Sequence, residues 1–355
     1  MPSLDIIVTA YNNGEHLNDC LQSVFDQTFT DYNLLIIDNA SIDQTPLIAN
    51  YWTKKDYRFK FIRNHKNIGH IKSANLAYKK MSGDFVLQLH GDDILKPNFL
   101  QRVFLDGLSQ NPNCSYGFSL YSRLKDGKDT NDIFQFIPNL STGAHQIIDY
   151  LCFTNWIIQS FAIFNRQCFD RVGGFERHIQ RFHSDDAQSP RGGFLDHYMW
   201  IRLSSLGPAY VVKERLGLYR QHTESLRNVQ IGERRLIQEA IRTYDFIFDD
   251  HDLFDDITRY LSKVNQFGRL LTNHGLCKTA LDFLNSAETG PEIYPIRKSF
   301  LKSLALSLSN FVFDDSSNTA NFKLETLENI KLIKELNEKI PQDKLPVIST
   351  YRNSN

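Results

Sequence analysis

The chain has 355 residues, with 40 lysines and arginines against 41 aspartates and glutamates, and a formal net charge of -1 at pH 7. A protein built chiefly to hold nucleic acid carries a basic excess that displaces counterions from phosphates, and this total has none. Hydrophobic residues at 41% and charged residues at 23% match ordinary globular usage, which excludes wholesale disorder; the length predicts roughly two domains.

Leu4 to Ala10 is an apolar, β-rich run that ends in the turn Asn12-Asn13-Gly14. Leu17, Cys20, Leu21, Val24 and Phe25 then recur at the spacing of a helix packed on one face. Tyr32 to Asp38 reads as a second buried strand. Asn39 to Thr45 is rich in turn and cap residues and leads into a helix through Leu47 and Tyr51. Phe59 to Arg63 is a short strand, and Ile71 to Met81 a helix broken by Ser82-Gly83-Asp84. Phe85 to His90 is a further strand, ending in Gly91-Asp92-Asp93. This alternation predicts βαβ units and a mostly parallel sheet with helices on both faces. In such sheets ligands sit beyond the carboxyl ends of the strands, where Asn12, Asp38, Asn39, Asp92 and Asp93 collect. Turn propensity accounts equally well for Asp and Asn at those points.

Residues 110–225 are mixed. Ser160 to Phe164 reads as a strand, Val172-Gly-Gly-Phe175 as a turn, and 176–194 as a polar, glycine-bearing loop. Phe194 to Leu206 has a helix pattern, while Ala209 to Val212 and Gly217 to Arg220 read as two strands. From about 230 the pattern is helical: 234–248, 257–271, 277–285, 297–313 and 324–340. The expected organisation is an α/β domain over 1–228, a helical domain over 229–340, and a flexible tail over 341–355.

Five cysteines, none spaced as CxxC, give no support for a disulfide framework or a zinc site. The N-terminus lacks the basic segment of a signal peptide. No stretch approaches the ~18 apolar residues of a membrane span. A soluble, cytoplasmic protein is expected.

Several segments, taken in order over about 225 residues, resemble those of the family 2 glycosyltransferases, which have the GT-A fold. They are Thr9-Ala-Tyr11-Asn12, Ser23-Val-Phe-Asp-Gln27-Thr28, Ile37-Asp38-Asn39-Ala-Ser41, Asn67-Ile-Gly69 with Ser73-Ala-Asn75, and Gly83 to Asp93. Val172 to Phe175, Leu195-Asp196 through Arg202, and Tyr219-Arg220-Gln-His222-Thr-Glu-Ser225 complete the set. The region after about 230 has no such match. The resemblance implies a Rossmann-like, mostly parallel mixed sheet flanked by helices. It also implies an inverting, metal-assisted transfer of sugar from a nucleotide diphosphate sugar, a UDP-sugar foremost, to a hydroxyl of a saccharide or lipid-linked saccharide in polysaccharide biosynthesis.

The resemblance implies the following roles. Thr9, Tyr11 and Asp38 surround the nucleotide base, where a tyrosine can stack and a carboxylate can accept from a ring N–H. Asn39 stands where the family has a second Asp. Lys72 and Arg220 lie near the base or phosphates, and Asp92 faces the ribose and the metal. Asp93 and His222 are further ligands of a divalent cation, Mn²⁺ or Mg²⁺, which offsets the charge of the leaving diphosphate. His90 replaces the family's first acidic residue, a change that either weakens metal affinity or shifts preference toward Mn²⁺, which tolerates imidazole better than Mg²⁺ does. Asp196 is the general base toward the acceptor hydroxyl, with a helix N-cap as the alternative role. Leu195 replaces a frequent Glu, and Asp185-Asp186 are the nearest substitutes. A catalytically impaired sugar-nucleotide binder and a nucleotidyltransferase are the competing readings. The basic stretch Arg297 to Lys302, followed by Leu304, Leu306 and Leu308, allows peripheral contact with the inner face of a membrane, against burial of that helix.

Overall fold

The computed structural model describes residues 3–132, 140–148, 151, 155–175 and 195–221. The chain divides into two units, Met1–Gln230 and Ile231–Asn355. The expected C-terminal helices, the tail, the loop 176–194 and His222 lie outside the described residues.

β1 (Leu4–Ala10), β2 (Tyr32–Asp38), β3 (Phe59–Arg63) and β4 (Phe85–His90) pair in parallel in the order β3-β2-β1-β4. All seven residues of β1 are buried. A parallel strand covered on both faces has no solvent side, so its sequence is apolar throughout rather than alternating. Leu4, Ile6 and Val8 meet Leu17, Cys20, Leu21 and Val24 of α1 (Leu17–Phe25), together with Ala49 and Trp52 of α2 (Thr45–Lys55). Ile7, Leu35 and Ile37 are buried on the opposite face, where α3 (His70–Tyr78) packs against β1 and β2.

The sheet continues through β9 (Ala162–Asn165), β6 (Tyr116–Lys125), β10 (Ala209–Arg220) and the two-residue β5 (Ile94–Leu95). β7 (Lys128–Asp129) hangs on β6, and β8 (Gly143–His145) on β10. β9 is antiparallel to both β4 and β6, whereas β10 runs parallel to β6. The directions of β6 and β10 therefore match those of β1 to β4, and Arg220 at the end of β10 reaches the same sheet edge as Asp38 and His90.

Four details depart from the sequence reading. α2 is anchored by Ala49 and Trp52, while Leu47 and Tyr51 stand 71% and 57% exposed. α3 starts one residue early, after Gly69 in a left-handed conformation (φ 85°), and ends at Tyr78. Ser160 belongs to a tight helical turn, Gln159–Phe161, that precedes β9. The two strands expected between 209 and 220 are one, irregular in register between Val212 and Gly217. Its polar Lys213-Glu214-Arg215 stretch hides the continuity, because backbone pairing to β6 does not need apolar side chains. β6 itself, with Ser119, Ser122, Arg123 and Lys125 spread among its ten residues, has no clean periodicity to announce it. α4 (Arg166–Arg171) follows β9, capped by the Asn165 side chain, and α5 (Leu195–Leu206) precedes β10.

Candidate active site

The site forms where β1, β2 and β4 end. Ala10 is paired with Asp38, and Thr9 with His90. The chain turns sharply after β1, with Asn12 in the left-handed region (φ 53°), a conformation asparagine tolerates better than most residues. Side chains of the β2–α2 loop hold that turn. Asn12 N–H donates to Ser41 Oγ at 2.8 Å, Asn13 N–H to Thr45 Oγ1 at 2.8 Å, and Gly14 N–H to Asp43 Oδ2 at 2.7 Å. Asn12 Oδ1 accepts from Ile42 N–H at 3.0 Å. Tyr11 is left 48% exposed.

Asp38 is fully buried. Its Oδ1 accepts the backbone N–H of Ser41 at 3.0 Å and the Ser41 hydroxyl. Arg63 Nε lies 3.0 Å from Oδ2, a charge contact without hydrogen-bond alignment, so that oxygen keeps an open bonding direction. Thr9 Oγ1 is buried and has no hydrogen-bond partner among the described residues. Asn39 is committed to the protein: its Oδ1 accepts from Asn64 Nδ2 and Ile68 N–H, and its Nδ2 donates to Asn67. Those bonds tie down the loop that enters α3. Lys72 is half-buried on α3.

After β4 the chain turns through His90-Gly91-Asp92-Asp93 into β5, which pairs with β10 at Leu218. Asp93 is buried, and its Oδ2 accepts the Ser160 hydroxyl at 2.6 Å. Its Oδ1 accepts the Arg220 N–H at 3.0 Å. The Arg220 guanidinium donates to the Asp92 carbonyl at 2.8 Å and to Asp19 Oδ2 at 3.3 Å. Arg220, expected to meet phosphate, thus clasps the acidic turn. Cys20, under the turn, donates its S–H to the His90 carbonyl at 3.4 Å, and burial pushes its thiol pKa up.

His90, Asp92 and Asp93 each offer a donor atom, and these atoms lie within 4.8 Å of one another. Burial, with the charge of Asp92 added, pushes the Asp93 carboxyl well above its usual range. Burial holds His90 below the ordinary imidazole value, partly offset by Asp92. The His90 Nε2 is buried without a hydrogen-bond partner. Two crowded carboxylates beside a neutral imidazole are a donor set that suits a divalent cation, which relieves the repulsion and takes up the nitrogen lone pair. The residues present fit such an ion.

Asp196 lies outside this cluster. It sits in the first turn of α5, half-buried, and its Oδ1 accepts the N–H of His197 at 2.8 Å. Sequence reasoning missed Ser160, Gln159, Gln88 and His70, whose side chains surround the turn. The one local signal was Gln88, a lone polar residue in the otherwise apolar Phe85-Val-Leu-Gln-Leu.

Residues 5–173 match the sequence model of Glycosyl transferase family 2. Over those residues the chain is similar to that family. The transferase is 23% identical over 351 residues to an uncharacterized glycosyltransferase of Haemophilus influenzae, a match covering 96% of this chain and 98% of that protein. Its fold resembles that of Staphylococcus aureus TarS 1–349, crystallised with UDP-GlcNAc, at a TM-score of 0.60 and 14% identity over 95% and 92% of the two chains. It also resembles a mannosyltransferase of Pyrobaculum calidifontis, PcManGT, crystallised with GDP-Man and Mn²⁺. There the TM-score is 0.54 and the identity 15%, over 95% and 87% of the chains. The two structures speak for the GT-A fold of the transferase. Among the described residues no helix is long and apolar enough to cross a membrane.

Proposed function

We propose that the transferase moves a sugar from a nucleotide diphosphate sugar, a UDP-sugar foremost, to a hydroxyl of a saccharide or lipid-linked saccharide, with inversion at the anomeric carbon. The observation that carries this reading is the convergence on one sheet edge of Asp38 from β2, the His90–Asp93 turn from β4, and Arg220 from β10. The complexes of two proteins of this fold with UDP-GlcNAc and GDP-Man support the donor class. Tyr11 offers an exposed ring for stacking on the base, and Asp38 an open oxygen for a base N–H. His90, Asp92 and Asp93 would hold Mn²⁺ or Mg²⁺, with His222 as a fourth candidate. The cation supplies charge neutralisation for the leaving diphosphate. Arg220 keeps the acidic turn in shape.

Asp196 is our choice of general base. Gly207-Pro208 reverses the chain between α5 and β10, and Trp200 and Ser204 of α5 meet Tyr116 at the start of β6. α5 therefore runs back along the sheet, with its first turn toward the edge where β10 ends. A carboxylate there takes the acceptor proton as the hydroxyl attacks the anomeric carbon.

The test is incubation with a panel of sugar nucleotides and divalent cations, reading release of nucleotide diphosphate. Release that falls by about 10²- to 10⁴-fold in Asp196→Asn, with donor binding retained, is expected. Binding without release across the panel would instead mark an inert sugar-nucleotide binder, and pyrophosphate exchange a nucleotidyltransferase. A cytoplasmic location with peripheral contact at the inner face of the membrane accompanies this reading. Flotation with anionic liposomes that weakens in Lys298→Glu/Lys302→Glu is expected; equal flotation would sink the contact.

A further inference from the structure

We propose that Gln159 and Ser160 are positioning residues for the cation site, fixing His90 and Asp93 relative to one another; the inference rests on the cation reading above. Ser160 lies 70 residues beyond His90 in the chain and in none of the segments that carry the family resemblance.

The Ser160 hydroxyl meets both ends of the acidic turn. It donates to Asp93 Oδ2 at 2.6 Å and accepts the backbone N–H of His90 at 3.2 Å. Ser160 is fully buried, so water cannot replace it cheaply. With Arg220 N–H on Oδ1, each Asp93 oxygen takes one hydrogen bond. The carboxylate is thus locked in rotation, while each oxygen retains a second lone pair.

Gln159 serves the imidazole side. Its Nε2 donates to Gln88 Oε1 at 2.7 Å. That turns the Gln88 amide so that its Nε2 faces His70 Nε2 at 3.0 Å, making His70 an acceptor there. The His70 ring stands across the His90 ring, with centroids 5.0 Å apart and planes at 85°. His90 therefore packs edge-to-face against a ring whose orientation the Gln159–Gln88–His70 chain fixes, which limits the rotation of its own imidazole. The turn Gln159–Phe161 leads directly into β9, whose pairing with β4 (Leu87 with Ile163) anchors the clamp to the strand that carries His90.

Groups of this kind around a metal typically contribute 10- to 100-fold in affinity. The experiment is Mn²⁺ titration of the full chain followed by electron paramagnetic resonance, with thermal unfolding measured in parallel. Ser160→Ala and Gln159→Leu are expected to weaken Mn²⁺ binding by about 10- to 100-fold. Gln159→Leu also alters the nitrogen hyperfine coupling of the bound ion. Ser160→Cys, close in volume and a weaker donor, falls between wild type and Ser160→Ala, which covers a failure of the alanine variant to fold. Ser109→Ala, which deletes a hydroxyl bonded to the Leu105 carbonyl, leaves the affinity unchanged. Wild-type affinity in folded Ser160→Ala and Gln159→Leu, with binding lost in Asp92→Asn, overturns the positioning role alone. No Mn²⁺ binding by the wild type overturns the cation reading itself.

Discussion

At position 90 an imidazole stands where the resemblance leads one to expect a carboxylate, and its neighbours decide what it can do. Burial keeps it neutral, so it brings a lone pair and no charge to a turn that already holds two carboxylates. His90→Asp adds a third negative group. We expect it to raise the ratio of turnover with Mg²⁺ to turnover with Mn²⁺, because hard oxygen sets suit Mg²⁺. The metal-free variant is expected to melt below wild type and to recover with either ion. An unchanged ratio would show that His90 does not touch the ion. Asp38, Asp92 and Asp93 were legible in the sequence because each closes or follows an apolar strand. The commitments of Asn39 and Arg220 were not, since the same side chains serve a ligand or a loop equally well. Ser160 and Gln159 left no local trace, because their partners are distant in the chain.

Between elements, the fit of small residues to large ones governs the site. Gly217 of β10 faces the ring of Phe161, and a Cβ at 217 would sit closer to that ring than carbon atoms approach. Phe161 follows Ser160 in the same turn and is buried. Gly217→Ala should therefore destabilise by about 1–3 kcal/mol and also weaken Mn²⁺ binding through the displaced turn. A loss of stability with Mn²⁺ affinity intact would uncouple the two. At the end of α2, Asp56 accepts from the Arg58 guanidinium, and the Arg58 cation lies 4.5 Å from the Tyr32 ring centroid. The hydrogen bond from Arg58 holds the Asp56 carboxyl below its usual range, against the effect of burial. A depressed carboxylate pKa contributes stability that is present above the unfolded value near 3.9 and is lost as pH falls through the folded value. Asp56→Asn should thus cost about 1–3 kcal/mol at pH 7, with the gap to wild type closing below about pH 4 in denaturant titrations. A gap constant across that range would rule out the ion pair as its source.

For the molecule as a whole, ligand binding is measurable as stability. A nucleotide diphosphate with Mn²⁺ at about 100 times its Kd should add about 2.7 kcal/mol, a rise in Tm of several degrees, and the cation alone should give less. No shift with any nucleotide would argue against the donor reading. The near-neutral charge argues against nucleic acid as the main partner but does not locate the site. The sequence alone determined the parallel core, because strands covered on both faces read as apolar runs; β1, β2 and β4 have the boundaries read from it, as does the edge strand β3. It also determined the candidate acidic turn, because aspartates directly after a buried strand lie at the strand's carboxyl end. Only the tertiary structure decided that β9 enters reversed between β4 and β6. That inversion brings Gln159 and Ser160 under His90 and Asp93. The reason is physical: periodicity records which face a residue buries, whereas hydrogen bonds across 70 residues depend on strand order, which no local pattern encodes.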